Sequence, residues 1–304
     1  MLASPEQYNF SGHETFPVRY AWLPKAVQHL SMDKTLFTRD DAMIQLGVGK
    51  NMVASIRYWA GAFGLIDRKS GVEELTDLGK KLLGPGGWDP YLEDPGTLWL
   101  LHWQLARRLE KTSTWFLAFS LWGRDTFTRA ELVDWLLRFI APLKQVRATP
   151  GSIKRDVDVF IRTYTPSPQR VGKLAEDSFD SPLVELGLLQ EVGRDSYRFV
   201  KSSQPTLPDA TLTYALLDYW RLYAAGQQTV GFETLLHGKG SPGAVFKLTE
   251  NALAERLERL PTACGLRFDD TAGMRQLLRT TAELAEPLWV LESYYSAEAT
   301  STTR

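Results

Sequence analysis

The stretch LGVGKNMVASIRYWAGAFGLIDRKSGVEELT, residues 46–76, decides the fold. Gly47 and Gly49 end one helical segment and open a longer one. The apolar residues of the longer segment recur at spacings of three and four, which predicts one buried helix face. They are Met52, Val53, Ile56, Trp59, Ala60 and Phe63. An alternating segment then turns at Ser70 and Gly71 and returns, which predicts a short β-hairpin.

The residues before this stretch supply two more helices. Residues 20–30 read YAWLPKAVQHL, with the apolar side chains on one face. In the segment FTRDDAMIQL, Thr38 followed by Asp41 three residues later predicts a helix capped by Thr38. Two helices, a turn, a third helix and a hairpin in this order form the winged-helix pattern, whose third helix enters the DNA major groove.

This first block carries candidate DNA contacts. Lys50 and Arg57 lie seven residues apart, so they would share one exposed face of the third helix, with Asn51 beside Lys50. Arg68 and Lys69 stand at the tip of the predicted hairpin, where a winged helix touches the DNA backbone. The alternative is a winged helix that contacts only proteins, with ordinary solvated charges.

A second block repeats the pattern and is more basic. The segment FTRAELVDWLL restates FTRDDAMIQL at a spacing of 90 residues, and SIKRDVDVFIRTY follows it. In that helix Val157, Phe160, Ile161 and Tyr164 are predicted to face inward. The predicted outward residues are Lys154, Arg155 and Arg162. Two short strands stand where the hairpin belongs, and a weaker third echo follows in the C-terminal part of the chain.

These repeats predict a mainly α protein with small β-hairpins, built from tandem winged-helix-like units joined by helical connectors. The expected division is an N-terminal unit over residues 1–90, a helical hairpin with the second, basic unit over 91–205, and a C-terminal unit over 206–304. The connector after the first unit has four tryptophans at helical spacings, interpreted as core and not as stacking platforms for bases. They are Trp99, Trp103, Trp115 and Trp122.

Composition and cysteine content limit the class of protein. The chain has 304 residues, is 44% hydrophobic and 23% charged, and contains no apolar run long enough to span a membrane. Its single cysteine, Cys264, excludes an intramolecular disulfide and a cysteine-rich zinc site. We therefore expect a cytoplasmic protein that has no secretion signal and no membrane partner.

The charge is distributed unevenly. The net charge is −1, but residues 100–174 hold 13 Lys or Arg against 6 Asp or Glu, a net of +7 that leaves −8 for the rest. Phosphate binding requires only that the contacting face be positive. This segment favours DNA as the partner.

The polar turn FSGHETFP, residues 10–17, falls outside every amphipathic pattern. His13, Glu14 and Arg19 stand within seven residues, and such a set could bind a phosphate or hold a metal. A second interpretation is a turn anchored by its aromatic ends, in which His13 only forms a hydrogen bond across a domain interface. The residues alone favour this second interpretation.

No recognised catalytic motif is complete. GVGKN fails as a phosphate-binding loop because Ile44 stands where a glycine is required and Asn51 follows Lys50. The acid pairs lack the Glu-x-Lys strand of restriction-type nucleases, and no His-Asn-His cluster occurs. Asp156 and Asp158 lie in the basic helix, where Asp158 can pair with Lys154 or Arg162.

Long blocks of the sequence are more specific than any single motif. In order, over about residues 8–278, they are FSGHETFPVRYAWL, GVGKNMVASIRYWAGAFGLI, DPYLEDPGTLWLLHW, KRDVDVFIRTY and GSPGAVFKL. They resemble the signature segments of a bacterial domain-of-unknown-function family that is encoded beside DNA phosphorothioation genes and typified by SspB. The resemblance implies a role in sulfur modification of the DNA backbone and in defence against phage.

The resemblance also implies an activity and partners. It implies a DNA-nicking endonuclease that uses Mg²⁺ or Mn²⁺, works with ATPase and sulfur-transfer proteins, and can form a homodimer. In this hypothesis His13 and Glu14 act as metal ligand or general base, and Arg19 neutralises phosphate charge. DNA would be contacted by Lys50, Asn51, Arg57, Arg68, Lys69, Lys154, Arg155 and Arg162. Two other classes stay open: a non-catalytic DNA-binding subunit or regulator that recruits the sulfur-transfer enzymes, and a scaffold that does not bind DNA.

Overall fold

The computed structural model describes residues 7–143, 145–167, 180–271 and 273–301. The chain divides into two compact units, residues 1–118 with 123–200 and residues 119–122 with 201–304. Helices make up about half of the described chain, and the strands form small antiparallel sheets. The fold is therefore roughly mixed α/β, which confirms the predicted helices and small β-hairpins but only in part the mainly α class. The tandem winged-helix arrangement and the three-domain division stay predictions.

The first unit places each hairpin after a pair of helices. Its elements are α1 (Trp22–Met32), α2 (Ala42–Leu46), α3 (Lys50–Ala62), β1 (Ile66–Lys69), β2 (Val72–Leu75), α4 (Asp77–Leu83), α5 (Pro95–Ala106), α6 (Ser113–Ser120), β3 (Thr126–Thr128), α7 (Arg129–Ile140), α8 (Pro150–Tyr164), β4 (Leu189–Gly193) and β5 (Ser196–Phe199). The last two residues of α6 belong to the second unit. Of the basic segment, Lys144 and residues 168–174 lie outside the described residues.

The hairpin predicted after α3 is confirmed. β1 and β2 pair antiparallel, with Lys69 opposite Val72 at the tip. The connecting residues Ser70 and Gly71 have φ values of 51° and 89°, and two left-handed residues in succession match the twist of a tight hairpin. The later hairpin, β4–β5, is joined by β3 in a three-stranded sheet of order β3-β5-β4.

The helix predicted to be capped by Thr38 begins later than expected. α2 starts at Ala42 with Asp41 in the cap position, whereas Thr38 ends a short 3₁₀ turn. Arg39 explains the difference, because its guanidinium binds Asp33 at 3.0 Å and Asp41 at 2.6 Å. Between these two carboxylates the backbone of Arg39 is extended, so it cannot be the first residue of a helix.

The Arg39 contact makes the titration of Asp41 a test of this geometry. Hydrogen bonds from Arg39 and then Gln45 lower the pKa of Asp41 from 3.8 to about 2. Because the folded-state pKa is lowered, the contact stabilises the fold above about pH 4 and is lost as the pH falls toward 2. We expect Arg39→Met to raise the pKa of Asp41 toward 3.8 in an NMR titration. Lys34→Met, which removes the Lys34–Glu74 pair, is the control that should leave it unchanged.

The connector between the two helix–hairpin blocks is core, as its tryptophans predicted. All residues from 96 to 106 in α5 are buried. Trp99, Trp103 and Trp115 are fully buried in the first unit, and Trp122 is buried in the second. All four rings are buried, so none presents a free face on which a nucleic-acid base could stack.

The second unit repeats the order of helices followed by a hairpin. Its elements are α9 (Asp209–Tyr223), β6 (Thr229–Gly231), α10 (Phe232–His237), α11 (Pro242–Phe246), α12 (Glu250–Glu258), β7 (Leu266–Thr271), β8 (Met274–Arg279) and α13 (Pro287–Ser301). The strands form a sheet of order β6-β8-β7. In the part of the chain that the structure describes, every helix is too short or too polar to cross a membrane.

Candidate nucleic-acid interface

α8 separates an apolar face from a basic face. The helix starts at a capping box, in which the Thr149 hydroxyl accepts a hydrogen bond from the backbone of Ser152 at 3.1 Å. The apolar residues predicted to face inward are buried, as expected: Val157, Phe160, Ile161 and Tyr164. The predicted outward residues are exposed: Lys154, Arg155 and Arg162. This row of cations is the first part of the candidate interface.

Asp156 lies on the buried face of α8 and holds the N-terminal turn. Its side chain is only 1% exposed. Its Oδ1 accepts a hydrogen bond from the backbone N–H of Ser11 at 2.7 Å and lies 2.7 Å from Nε2 of His13. Its Oδ2 accepts a hydrogen bond from the hydroxyl of Thr114 in α6. One carboxylate therefore ties together the turn, α6 and α8.

The hydrogen bonds of His13 define its tautomer. The backbone N–H of Thr15 donates to Nδ1 at 3.1 Å, so Nδ1 carries no proton. The proton of the neutral ring is then on Nε2, which donates to Asp156. His13 is 1% exposed, and both of its nitrogens are engaged. In this arrangement the ring has no free lone pair for a metal or for a proton from water.

Aromatic rings enclose His13 on several sides. Its ring centroid lies 5.8 Å from that of Tyr58, 6.3 Å from that of Trp59 and 6.2 Å from that of Trp115. Burial, and secondarily the negative charge of Asp156, raises the pKa of Tyr58 well above its ordinary value. These contacts place His13 in a packed interior and match the second interpretation of the turn, in which the histidine has a structural role.

The backbone of the turn is held in an unfavourable conformation. Ser11, Gly12, Glu14 and Thr15 have φ values of 87°, 105°, 48° and 64°, and only one of the four is a glycine. A left-handed backbone costs a non-glycine residue roughly 1–2 kcal/mol. The surrounding contacts must therefore impose this shape, and the bond from Ser11 to Asp156 is one of them.

Side chains of α3 fix the other half of the turn. The Ser55 hydroxyl donates to the backbone oxygen of His13 at 3.0 Å. Nε1 of Trp59 donates to the backbone oxygen of Phe16 at 3.1 Å. Since α3 and α8 both bind the turn, it joins the two helix–hairpin blocks of the first unit.

Gly12 offers a direct test of this packing. A Cβ atom at this position would lie 2.7 Å from Cδ2 of Tyr58, and φ is already +105°. We expect Gly12→Ala to lower the free energy of unfolding by about 2–4 kcal/mol, because backbone strain and steric overlap add. The control is Gly47→Ala, where φ is +65° and nothing lies within 4 Å, so only strain of about 1–2 kcal/mol is expected. Equal losses in urea unfolding would contradict the overlap with Tyr58.

The turn and α8 bring positive charges together at the surface. Nη1 of Arg162 donates to the backbone oxygen of Thr15 at 3.2 Å. Desolvation lowers the pKa of Arg162, Asp158 opposes this, and the positive charge of Arg19 lowers it further. The guanidinium of Arg19 lies 5.3 Å from the ring centre of Trp22.

The candidate DNA contacts of the first block lie partly on the exposed surface and partly against the hairpin. Lys50 and Asn51 are exposed in the first turn of α3, and Lys69 is exposed at the hairpin tip. Arg57 is turned toward the hairpin instead, where its guanidinium binds the buried carboxylate of Glu73. Lys50 and Arg57 therefore do not share one exposed helix face, contrary to the prediction.

Arg68 also turns toward Glu73. Its Nε lies 3.3 Å from the backbone oxygen of Gly71 and 3.9 Å from Oε1 of Glu73. Arg57 and Arg68 thus converge on one carboxylate between α3 and the hairpin. Glu14, the remaining polar residue of the turn, is exposed on the surface.

No role was predicted for Asp156 from the sequence, although a signal was present. Residues 153, 156, 157 and 160 share one helical stripe, so Asp156 interrupts an apolar face. A carboxylate in such a position must find buried hydrogen-bond donors. Asp158, two residues later, lies at the surface of the helix and forms its salt bridge with Arg129 of α7, not with Lys154 or Arg162 as predicted.

The residues of the turn do not fit a metal as they are arranged. His13 has both nitrogens engaged, and Glu14 lies on the surface away from that buried ring. Within the described ranges, no three side chains of His, Cys, Asp or Glu gather into a possible ligand group. The metal-ligand role predicted for the pair stays a prediction that this geometry does not support.

Comparison with known proteins places the chain in a family. A family model described as protein of unknown function (DUF4007) matches residues 10–295, and the chain belongs to this family. A magnesium ion-bound SspB crystal structure is 33% identical, with a TM-score of 0.84 over 95% of this chain and 88% of that chain. A second SspB crystal structure is also 33% identical, with a TM-score of 0.84 over 96% and 89%. These matches support an SspB-type protein. No curated protein matched the chain.

Proposed function

We propose that this chain is a DNA-binding component of a DNA phosphorothioate-modification system. The similarity to SspB over 95% of the chain supports this role, because the family resemblance implies sulfur modification of the DNA backbone and defence against phage. The partners would then be the ATPase and sulfur-transfer proteins of the same system.

The basic face of α8 beside the N-terminal turn is the observation that carries DNA binding. Lys154, Arg155 and Arg162 are exposed on one helix, and the charge of Arg19 approaches that of Arg162. A phosphate at this position would relieve the repulsion between the two guanidinium groups and accept hydrogen bonds from both. Adjacent phosphates of a DNA strand could extend along the row.

The first helix–hairpin block supports the same role. α2, α3 and the β1–β2 hairpin follow in the order of a winged helix. In such motifs the N-terminal residues of the third helix contact bases, and here these are Lys50 and Asn51, both exposed. Lys69 at the hairpin tip is placed to contact the DNA backbone.

Nicking of duplex DNA is the activity that kinship implies, with Mg²⁺ or Mn²⁺ as the cofactor. We assign His13 and Asp156 to holding the turn, since both are buried and mutually bonded. Glu14 is the exposed carboxylate of the turn and is the group that can accept a proton from water. Arg19 and Arg162 would bind the phosphate, and no ligand set is assigned to the metal.

A second candidate function is a non-catalytic DNA-binding subunit that recruits the sulfur-transfer enzymes. The specific observation in its favour is that His13 has no free nitrogen. Such a subunit would bind DNA in a salt-sensitive manner and leave both strands intact.

A plasmid assay separates the two candidates. Supercoiled DNA incubated with the protein and Mg²⁺ or Mn²⁺ is expected to yield open circles. Glu14→Gln should abolish this conversion, while the exposed control Glu110→Gln should retain it. Full nicking by Glu14→Gln would remove Glu14 from the mechanism. DNA binding without open circles in the wild type would favour the recruiting subunit.

A further inference from the structure

We propose that the pocket between α3 and the β1–β2 hairpin binds a single cytosine base through its exocyclic amino group. This inference rests on the proposed DNA-binding function, because bound DNA would supply the base. The pocket itself is defined by geometry that is independent of that function.

The pocket has the size of a small-ligand site. Its volume is about 350 Å³, within the range common for ligand pockets. α3 forms one wall with Ala54, Arg57 and Tyr58, and the hairpin forms the other with Arg68 and Glu73. All of the lining residues belong to the first unit.

Glu73 supplies an unused hydrogen-bond acceptor in this pocket. Its side chain is only 4% exposed. Oε1 accepts a hydrogen bond from Arg57, whereas Oε2 is buried and has no partner among the described residues. A buried carboxylate oxygen without a donor is costly, so an N–H group of a ligand that reached Oε2 would be stabilised there.

The groups around Glu73 complement the edge of an amino-bearing base. A carboxylate that accepts from the amino group of cytosine is an established pairing in DNA recognition. Arg57 and Arg68 converge on Glu73, so their N–H donors lie next to its acceptor oxygen. The ring nitrogen and the carbonyl on the same edge of the base are acceptors and require such donors. The Tyr58 ring lines the wall, and its hydroxyl is fixed by a bond to the backbone oxygen of Lys111 at 3.3 Å.

The position of the pocket suits a base that has left the helical stack. It lies between the third helix and the hairpin, the two elements proposed to contact DNA. Proteins that receive an extruded base read its pairing edge by hydrogen bonds and cover its face with aromatic or apolar side chains. Glu73 and Tyr58 provide these two functions here.

Two homopolymers test this proposal without knowledge of the target sequence. Oligodeoxycytidylate and oligodeoxyuridylate of equal length differ in the 4-amino group and the adjacent ring nitrogen. We expect the wild type to bind the cytosine oligomer roughly tenfold more tightly in fluorescence anisotropy. Glu73→Gln should abolish this preference while leaving uridine binding unchanged or stronger, because the variant removes a negative charge. Glu74→Gln, which alters the surface partner of Lys34, is the matched control and should keep the preference.

A second variant tests the pocket independently of whether Glu73→Gln folds. Ala54 is exposed at the wall of the pocket, so Ala54→Leu fills the space without disturbing the core. It should also abolish the cytosine preference, and circular dichroism should show both variants to be folded. A folded Ala54→Leu protein that retains the preference would overturn the proposed pocket.

Free nucleotides distinguish the source of the base. In saturation-transfer NMR, deoxycytidine monophosphate should show contact that Glu73→Gln removes, and deoxyuridine monophosphate should show none. Contact with the free nucleotide but no preference between oligomers would support the pocket with a mononucleotide as its ligand. Absence of both effects would overturn the proposal. If the wild type binds neither the oligomers nor duplex DNA, the proposed function fails, and the nucleotide experiment alone decides whether the pocket exists.

Discussion

Replacement of Asp156 by alanine is expected to lower the free energy of unfolding by about 3–5 kcal/mol. The substitution removes a buried carboxylate and leaves the backbone N–H of Ser11, Nε2–H of His13 and the Thr114 hydroxyl without their acceptor. It also removes one of the contacts that hold the left-handed residues of the turn. Urea unfolding followed by circular dichroism measures the loss.

Asp158→Ala is the matched control on the same helix. Asp158 is about one-third exposed and binds Arg129, which also binds Asp195 and Tyr197. We expect a loss of less than about 1 kcal/mol, as for most surface ion pairs. Similar losses for the two aspartates would show that Asp156 contributes no more than an ordinary helix charge.

Reversal of Lys154, Arg155 and Arg162 to glutamate is expected to weaken duplex binding roughly 10²- to 10³-fold at low salt. Each cation that contacts a phosphate releases counterions on binding, so the loss of three contacts should also reduce the salt dependence. The slope of log K against log salt should fall by about 2.7, at about 0.9 for each contact. Fluorescence anisotropy over a salt series measures both quantities.

An equal change of charge elsewhere on the first unit provides the control. Lys34, Lys80 and Lys81 are exposed near the end of α1 and on α4. Their reversal changes the net charge by the same amount but leaves the basic face of α8 intact. We expect a loss of affinity of only a fewfold and an unchanged slope. If both triple variants lose affinity equally, total charge and not the α8 face determines DNA binding.

The elements governed by local periodicity were predicted well from the sequence. α3 and α8 each have apolar residues at spacings of three and four. α8 buries its stripe, whereas α3 buries Ile56, Trp59, Ala60 and Phe63 but leaves Met52 and Val53 half-buried. Ser70 and Gly71 marked the hairpin turn because few residue pairs adopt two left-handed conformations in succession. The predicted start of α2 was wrong because Arg39 binds Asp33, which lies before the predicted helix segment. A local capping pattern does not include such a contact.

The site depended on contacts that local patterns do not contain. His13 and Asp156 are 143 residues apart, so no spacing rule connects them. Arg57 and Lys50 have the spacing of one helix face, yet Glu73 on the adjacent hairpin draws Arg57 inward. Only the position of Asp156 in an apolar stripe could have indicated a buried polar cluster.

The bond between His13 and Asp156 also sets an order of events during synthesis. The turn holds three non-glycine residues in left-handed conformations, and its acceptor on α8 emerges from the ribosome only after 143 further residues have been added. At elongation rates of about 5–20 residues per second this delay is roughly 7–29 seconds. During that time the turn lacks the carboxylate that binds Ser11 and His13 in the folded protein. The N-terminal turn can therefore form its contacts with Asp156 only after α8 has been synthesised.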